Sequence, residues 1–401
     1  MNNKIILLGV ETLFAFNFNI GGQISLGELI TLLFVFTHFK EIQSLFKLYK
    51  QIPYMYGILF FTQLLSEIFV SNGLNDSIRG LMVTIVSFSH FTFLFYYGIK
   101  KPSNIIYAFI GFAVAIFIGI DNETLETNKI LNGENAAFVK MKLVNIVGML
   151  LVFISFYISK KNILFLLSFL FGTSMIILGA RNGGSTIILS GIIATFFNIK
   201  KINIQKVIFI TVGILCFSYI LYIIYVNNVL SGNIKSGNNI QIYALKNPYN
   251  PIELLINGRG EFFVGIQAFI DKFLFGHGAW AKDTTGKYWI LLSKIKNTPN
   301  VFIGVWLPVH SVLIGWGVYN GIFAFCSGLK IFIYVLKCSY RSFILNTSHS
   351  QLIYCLSYST IAFIWNILFS PPSHFRLTLP LFMAGILVSF HFNRIKHIKT
   401  R

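Results

Sequence analysis

The sequence predicts an all-α polytopic membrane protein, and three features of its composition point to that class. Of its 401 residues, 55% are hydrophobic and only 11% are charged, whereas a soluble domain has about 25% charged residues. The mean hydropathy is +0.72. A water-soluble globule cannot cover that much apolar side chain with so little polar surface. A disordered chain is excluded as well, because disorder requires low hydrophobicity.

About twelve apolar runs are candidate transmembrane helices, since a helix of roughly 20 apolar residues crosses the hydrocarbon core. The first, second and eighth runs are shorter than the others and need polar, interfacial ends to span it. In chain order the runs lie at 4–18, 24–39, 54–70, 80–98, 104–120, 143–159, 163–179, 186–199, 207–226, 309–335, 351–369 and 377–392.

The basic residues indicate the orientation of these spans. With the N-terminus inside, the connections that face the cytoplasm carry more than half of the Lys and Arg residues and a single acid, Glu41. Short cytoplasmic loops are expected to be basic in this way. The net charge of +19 is therefore interpreted as a topology signal, and no nucleic-acid partner is predicted. No signal-peptide cleavage site follows Lys4, so the first run is interpreted as a retained span.

One connection is far longer than the rest and divides the chain. We expect nine spans in 1–226, a loop in 227–308, and three spans with a cytoplasmic tail in 309–401. The orientation places the C-terminus inside and the loop outside, in the periplasm. Loops of this length are usually functional or disordered. Its opening, Ser231–Asn239, has the composition of a flexible segment.

The middle of the loop predicts a short amphipathic helix at about 260–275, lying on the membrane surface or packed on the bundle. The apolar residues that recur at helical spacing are Phe262, Ile266, Phe269, Ile270 and Phe273. Aromatic residues favour the membrane interface, and those that could anchor the loop there are Trp280, Tyr288, Trp289 and Trp306.

The four cysteines show neither CxxC nor Cys/His ligand spacing, so we expect no disulfide framework, no zinc site and no bound cofactor. They are Cys216, Cys326, Cys338 and Cys355.

The arginines on the outer side are the first functional signal. Topology explains Arg341, Arg394 and Arg401, which lie in cytoplasmic segments, but it does not explain the four placed outside. An arginine in apolar surroundings is costly unless it faces a polar cavity or a partner. Its planar guanidinium also suits bidentate binding of phosphate. The outer arginines are Arg79, Arg181, Arg259 and Arg376.

Two glycine-containing segments surround outer arginines. Gly179–Thr186, GARNGGST, fits a tight turn between spans, but its glycines would also let a large anion approach the backbone beside Arg181. Arg259 lies near the N-terminus of the predicted loop helix, where an anion is favoured. Alternatively, Arg259 forms a surface ion pair with Glu261 or an aspartate.

Histidines complete the set at the outer face. His310 lies where the long loop re-enters the membrane, and it is either an interfacial polar tip or a group that accepts a proton near neutral pH. His374 and Arg376 lie on the same face, whereas His277, between two glycines, is interpreted as a loop residue. Arginines and histidines with few acids suit a phosphorylated or pyrophosphorylated substrate handled without a metal ion.

The order of these motifs resembles the O-antigen polymerase and O-antigen ligase family of membrane proteins (Wzy-type and its relatives). The segment 258–278, GRGEFFVGIQAFIDKFLFGHG, resembles the family's Arg-x-Glu-x-aromatic stretch running to Gly-x-Gly, and Gly179–Ser185 is similar to its arginine-containing turn. His310-Ser311 stands where the family has His-Asn before a glycine-rich span.

The resemblance implies a glycosyltransferase of the bacterial inner membrane that joins glycans carried on undecaprenyl pyrophosphate, at the periplasmic face. Arg181 and Arg259 would then bind the pyrophosphate, and His310 would act as the base for the acceptor hydroxyl. Glu261 and Asp283 are possible helpers, and Arg79, His374 and Arg376 could line the same cavity. A chain-length regulator and a flippase would be protein partners.

Three functions are compatible with these features. The first is a repeat-unit polymerase, whose donor and acceptor are both lipid-linked oligosaccharides. The second is a ligase that passes the finished polysaccharide to lipid A core. The third is a flippase or transporter, although no internal duplication, which many transporters carry, is visible in the sequence.

Overall fold

The computed structural model describes residues 2–19, 22–119, 138–158, 160–196, 222–232, 245–297, 301–345 and 351–399, with six further single positions between 212 and 243. These residues are overwhelmingly helical. The first nine helices are α1 Asn3–Thr12, α2 Leu26–Thr37, α3 Phe39–Leu48, α4 Gln51–Phe69, α5 Leu74–Gly98, α6 Pro102–Ile118, α7 Val144–Tyr157, α8 Lys161–Ile177 and α9 Arg181–Phe196.

Six helices follow, three in the long loop and three in the last part of the chain. They are α10 Pro251–Gly258, α11 Gly260–Asp271, α12 Lys287–Lys296, α13 Val312–Leu345, α14 Ile353–Phe369 and α15 Thr378–Lys399. Shorter elements are the 3₁₀ turns Leu13–Ala15 and Pro372–Phe375, the π-helical turn Val139–Leu143, and the antiparallel strands β1 Asn17–Asn19 and β2 Gln23–Ser25.

The structure is that of an all-helical membrane protein. Four helices are long and apolar enough to cross a membrane, namely α4, α5, α13 and α15, and the sharply bent pair α2 and α3 brings the number to five if it forms one span. Shorter apolar helices are α6, α7, α8 and α14. Within the described residues each of the twelve predicted runs contains helix, but the count of twelve spans stays a prediction.

The helices pack closely because small residues lie between them. A side chain at Gly385 of α15 would collide with Ser359 of α14, and one at Gly184 of α9 would collide with the backbone of Gly172 in α8. Small residues of this kind let helix backbones approach in membranes. α15 lies in the middle of the bundle, with Leu379, Ile386 and Leu387 fully buried and α5, α6, α13 and α14 around it.

The N-terminal region differs from the prediction. The runs 4–18 and 24–39 were expected to be two short spans, and the chain forms the unpredicted strands β1 and β2 where the two runs meet. α2 and α3 then meet at an angle of 80°. The sequence Asn17-Phe-Asn19 alternates polar and apolar residues, which is the strand period, and the apolar flanks conceal it.

The loop helix α11 is confirmed, but it ends at Asp271 and its packed face is shifted from the predicted one. Phe262, Ile266 and Phe269 pack inward as predicted, while Ile270 and Phe273 do not. Ile270 and Phe273 are exposed, whereas Val264 and Ala268 are buried. The reason is that small residues let the helix pack tightly on α13, so α11 lies against the bundle rather than flat on a membrane surface. A side chain at Gly265 would lie 3.1 Å from Ile314.

A kink in α13 fixes the segment after α11. Gly321 has φ +76° inside the helix, and its position is so close to Leu274 that only glycine fits. The kink frees carbonyls of α13, and the backbone N–H groups of His277 and Gly278 donate to Val318 O and Tyr319 O at 2.7 and 2.9 Å. The Gly-His-Gly sequence is therefore explained by backbone contact.

The tryptophans of the loop contact one another. Trp280 packs edge to face against Trp306, with ring centroids 5.5 Å apart, and Trp289 donates its indole N–H to Trp306 O. The predicted flexible opening lies mostly outside the described residues, from 233 to 239, as do the acids at 121–134.

Candidate functional site

His310 and Glu261 meet where α11 lies against the start of α13. His310 Nδ1 lies 3.7 Å from Glu261 Oε1, and the His310 side chain is 49% exposed while that of Glu261 is 15% exposed. Lys296 of α12 donates a hydrogen bond to the same oxygen of Glu261. The histidine is thus open to solvent on one side and held by a carboxylate on the other.

The carboxylate of Glu261 is charged at neutral pH. Burial by itself raises the pKa of Glu261, but the contact with His310 and the charge of Lys296 outweigh burial and lower that pKa to about 2. The surface pair between Arg259 and Glu261 considered from sequence is not the one that forms, because Lys296 and His310 contact this carboxylate.

Local sequence explains why His310 takes this position. Ser311 follows it, and the Ser311 hydroxyl accepts a hydrogen bond from Ile314 N at 3.1 Å, which is the bond that an N-cap residue makes. The same hydroxyl donates to Ile367 O of α14 at 3.3 Å. α13 therefore begins directly after His310, and the serine joins this start to α14.

Arg259 lies between α10 and α11 and directs its guanidinium to α14. The guanidinium carbon stands 4.6 Å from the centre of the Trp365 ring, and Nη1 donates to Phe369 O at 3.4 Å. Burial lowers the pKa of Arg259, and the nearby Glu261 charge acts in the opposite direction. A partly buried guanidinium is costly unless polar groups face it, and aromatic rings offset only part of that cost.

Arg181 is the first residue of α9. The turn before it contains Gly179 with φ +94°, and the helix begins five residues earlier than the predicted span did. The Arg181 guanidinium donates to the hydroxyl of Tyr225 and stands 4.6 Å above the same ring. The segment is thus both a turn and a helix start, and the arginine points away from α9 toward 222–230.

A residue that the sequence did not single out connects the two arginines. Lys140 lies in the π-helical turn before α7 and is partly buried. Burial lowers the pKa of Lys140, and the positive charges of Arg181 and Arg259 lower it further. Both guanidinium groups are therefore close enough to act on one ammonium group, although they come from segments far apart in sequence.

Packing explains why these segments meet. A side chain at Gly183, in the first turn of α9, would collide with Val144, the first residue of α7. Both helices also pack on α14, whose C-terminal turn carries the Arg259 contacts. The structure thus gathers Lys140, Arg181 and Arg259 at one end of the bundle, and the charge of Glu261, which contacts His310, acts on Arg259.

Arg79 and Arg376 have a different environment. Arg376 donates to Gln23 O of the β hairpin at 2.7 Å and lies 3.5 Å from Glu28. Arg79 lies 3.4 Å from Asp76 and stacks on Trp280 at 4.3 Å. Each of these arginines therefore already has a carboxylate in contact, and their contacts lie at the hairpin rather than at the cluster around Arg259.

Three further candidates serve the fold. Asp283 accepts hydrogen bonds from the backbone N–H groups of Tyr288 and Trp289 at 2.8 and 3.1 Å, so it holds the start of α12. His277 contacts Ala268 O at 2.9 Å, and burial lowers the pKa of that histidine. His374 contacts the Thr378 hydroxyl at 2.9 Å, and the two line a small polar cavity of about 40 Å³.

The acids that lie within the apolar runs are buried and have protein partners. Glu11 lies 3.0 Å from His90, Glu28 accepts from Ser25 N at 2.7 Å, and Glu67 accepts from Ala279 N at 2.6 Å. Within the described part of the chain, no group of three or more His, Cys, Asp or Glu residues could hold a metal ion.

A comparison of the chain with protein-family models and with curated proteins finds no match.

Proposed function

We propose that the protein is a glycosyltransferase that joins undecaprenyl-pyrophosphate-linked oligosaccharide repeat units, as an O-antigen polymerase does. In this proposal the chain crosses the bacterial inner membrane about twelve times, with both termini in the cytoplasm and the 227–308 loop in the periplasm. The observation that supports the proposal most is the convergence of Lys140, Arg181 and Arg259 beside a solvent-open histidine.

The charges of the site favour an anionic ligand. Among the described residues, Glu261 is the carboxylate in contact with the site, and Lys296 already compensates its charge. The cluster therefore keeps a positive charge that a pyrophosphate would match. Guanidinium groups bind phosphate oxygens through two parallel hydrogen bonds, which suits the roles proposed for Arg181 and Arg259.

The proposed reaction is a direct displacement at the anomeric carbon of the donor sugar. The acceptor hydroxyl oxygen forms a bond to that carbon while the bond to the pyrophosphate oxygen breaks. His310 takes the proton of the hydroxyl, and the electron pair of the broken bond leaves with the pyrophosphate, whose charge the cations stabilise. The leaving group is already activated, so orientation and charge stabilisation carry the reaction.

Glu261 has a positioning role in this scheme. An ionised carboxylate only accepts hydrogen bonds, so its place beside His310 Nδ1 favours the tautomer that carries the proton on Nδ1. Nε2 is then the nitrogen that accepts a proton. The separation of 3.7 Å is long for a hydrogen bond, but such contacts often tighten only when substrate is bound.

The test is a reconstitution with purified protein and short lipid-linked repeats. A polymerase gives a ladder of longer lipid-linked products, whereas a ligase gives product only when lipid A core is added. A flippase moves the lipid-linked sugar across a vesicle membrane and makes no new bond. The polymerase proposal fails if the wild-type protein makes no ladder under conditions in which it remains folded.

Replacement of His310 tests the proposed base. His310→Ala removes general-base catalysis, which contributes about 10² to 10⁴ in rate, so the ladder should disappear while the protein stays in the membrane. His374→Ala is the matched control, because His374 contacts Thr378 and is not part of the cluster. Normal laddering by His310→Ala would remove this histidine from the mechanism.

A further inference from the structure

Lys140 occupies an unusual piece of backbone. It lies within the π-helical turn Val139–Leu143, directly before α7. A π turn is less stable than an α-helical turn and is found frequently at functional sites. The neighbouring Lys142 is almost fully buried, so the two lysines of this turn stand in different surroundings. The charge of Lys140 is close enough to those of Arg181 and Arg259 to be repelled by them.

The position of Lys140 next to Arg181 follows from packing. Val144, the first residue of α7, lies about one helical turn after Lys140 and packs against Gly183. Arg181 precedes Gly183 by two residues on the first turn of α9. The close approach of the two helix starts therefore brings the ammonium and the guanidinium to the same end of the bundle.

Lys140 has no counter-charge among the residues that the structure describes. No described carboxylate forms an ion pair with it, and the charges that act on it are the two positive ones of Arg181 and Arg259. Like charges that share a partly buried site repel each other. Cations gathered in this way are expected where a ligand supplies the opposite charge.

We propose that Lys140 is the third phosphate-binding residue of the site and that it makes the site selective for a diphosphate over a monophosphate. The identity of the diphosphate, a sugar-linked lipid pyrophosphate, rests on the proposed function. A diphosphate with both ends esterified carries about two negative charges, and loss of the sugar leaves a terminal phosphate that adds up to one more. Three positive charges therefore balance the negative charge of the leaving pyrophosphate better than two would.

The same charge count predicts whether Lys140 acts mainly on kcat or on KM. Negative charge grows on the pyrophosphate as the bond to the sugar breaks. An interaction that is stronger in the transition state than in the ground state raises kcat. Lys140→Ala should therefore lower kcat by a larger factor than it raises KM.

The experiment measures binding with two soluble probes, geranyl diphosphate and geranyl monophosphate, to the full-length protein in detergent. The wild-type protein should bind the diphosphate more tightly. Lys140→Ala should weaken diphosphate binding by about tenfold, the loss expected for one charge-assisted hydrogen bond, and should change monophosphate binding by less than about twofold. Lys140→Arg should keep most of the selectivity, and Lys294→Ala, at an exposed lysine of α12, is the control.

A stability measurement separates binding from a structural role. Removal of Lys140 relieves repulsion in the empty site, so Lys140→Ala should melt at the same temperature as the wild-type protein or higher without ligand. Added diphosphate should also raise the melting temperature of Lys140→Ala by less than it raises that of the wild-type protein. A lower melting temperature without ligand, or diphosphate binding equal to wild type, would overturn the proposal.

The binding result is independent of polymerase activity. If the wild-type protein makes no ladder but Lys140→Ala loses diphosphate selectivity, the proposed polymerisation fails while the diphosphate site stands. If the ladder forms and Lys140→Ala binds both probes normally, the polymerase stands and the role of Lys140 fails.

Discussion

The two groups of arginines at the ends of helices are chemically alike but are placed differently. At the β hairpin, Arg376 contacts Glu28 and Arg79 contacts Asp76, so each has an acidic partner. Around α14, Arg259 and Arg181 contact aromatic rings and both act on the charge of Lys140, while the nearby carboxylate of Glu261 contacts Lys296 and His310. The arginines at the hairpin each have an acidic partner, whereas those around α14 lie near a further cation, which is the arrangement that the proposed anion site requires.

The largest effect that separates the two groups is expected in the reaction rate. Arg181→Ala and Arg259→Ala should each reduce product formation by about a hundredfold, the loss typical of a group that stabilises developing charge. Arg79→Ala should leave the rate within a few-fold of wild type. The assay is the rate of ladder formation at equal amounts of folded protein. Equal losses for both groups would show that the distinction has no functional meaning.

The second-largest effect is expected in stability, where an arginine at the hairpin should matter more than those around α14. Arg376→Ala leaves the carboxylate of Glu28, whose side chain is 0% exposed, without its cation. We expect a loss of about 2 kcal/mol in the free energy of unfolding, since a buried charge without a partner is strongly unfavourable. Thermal unfolding in detergent measures it. Arg376→Lys should recover part of the loss, and an unchanged melting temperature would contradict the structural role.

A smaller effect is expected from Glu261, which links the cation cluster to His310. Glu261→Gln removes the negative charge beside His310 Nδ1, and we expect a rate about tenfold lower. The measurement is the rate between pH 5 and 9. The loss should change with pH, because the carboxylate that the substitution removes contacts the imidazole of the proposed base. A purely structural role would lower the rate equally at every pH.

The smallest effect is the acid sensitivity that Glu261 gives to the fold. Its pKa is depressed to about 2, so its stabilising contribution is complete above the usual glutamate value of about 4.5. That contribution falls as the pH drops toward 2. The melting temperatures of the wild-type protein and Glu261→Gln should therefore converge over this interval. A constant difference down to pH 2 would mean that the carboxylate is not held as described.

Much of the fold was predictable because hydrophobic length and charge placement are local properties. Each predicted run contains helix within the described residues, and the loop helix begins at Gly260, as its apolar spacing predicted. The hairpin at 17–25 was not predicted, since two apolar flanks outweigh three residues with strand alternation. The buried face of α11 was predicted in part: Phe269 is buried, but Ile270 is not, because tight packing on α13 places the small residues Gly265 and Ala268 at the contact.

The site was only partly predictable. Arg181, Arg259 and His310 were identified from residue type and motif order, and their common role stays a prediction. Lys140 was missed because lysines near helix ends were all attributed to topology. One signal was nevertheless present, since Lys140 lies on a connection that the orientation places outside, where a lysine is not expected. Its proximity to two distant arginines depends on packing that the sequence does not reveal.

The kink at Gly321 has a mechanical consequence. Backbone hydrogen bonds tie the residues after α11 to the opened turn of α13, and Gly265 lies against Val309 and Ile314 at the other end of the contact. Arg259 before α11 and His310 before α13 thus lie at the same end of two parallel helices that are held together along their length. A covalent cross-link between these two helices should leave turnover intact, and a strong inhibition by such a link would show that they separate during each cycle.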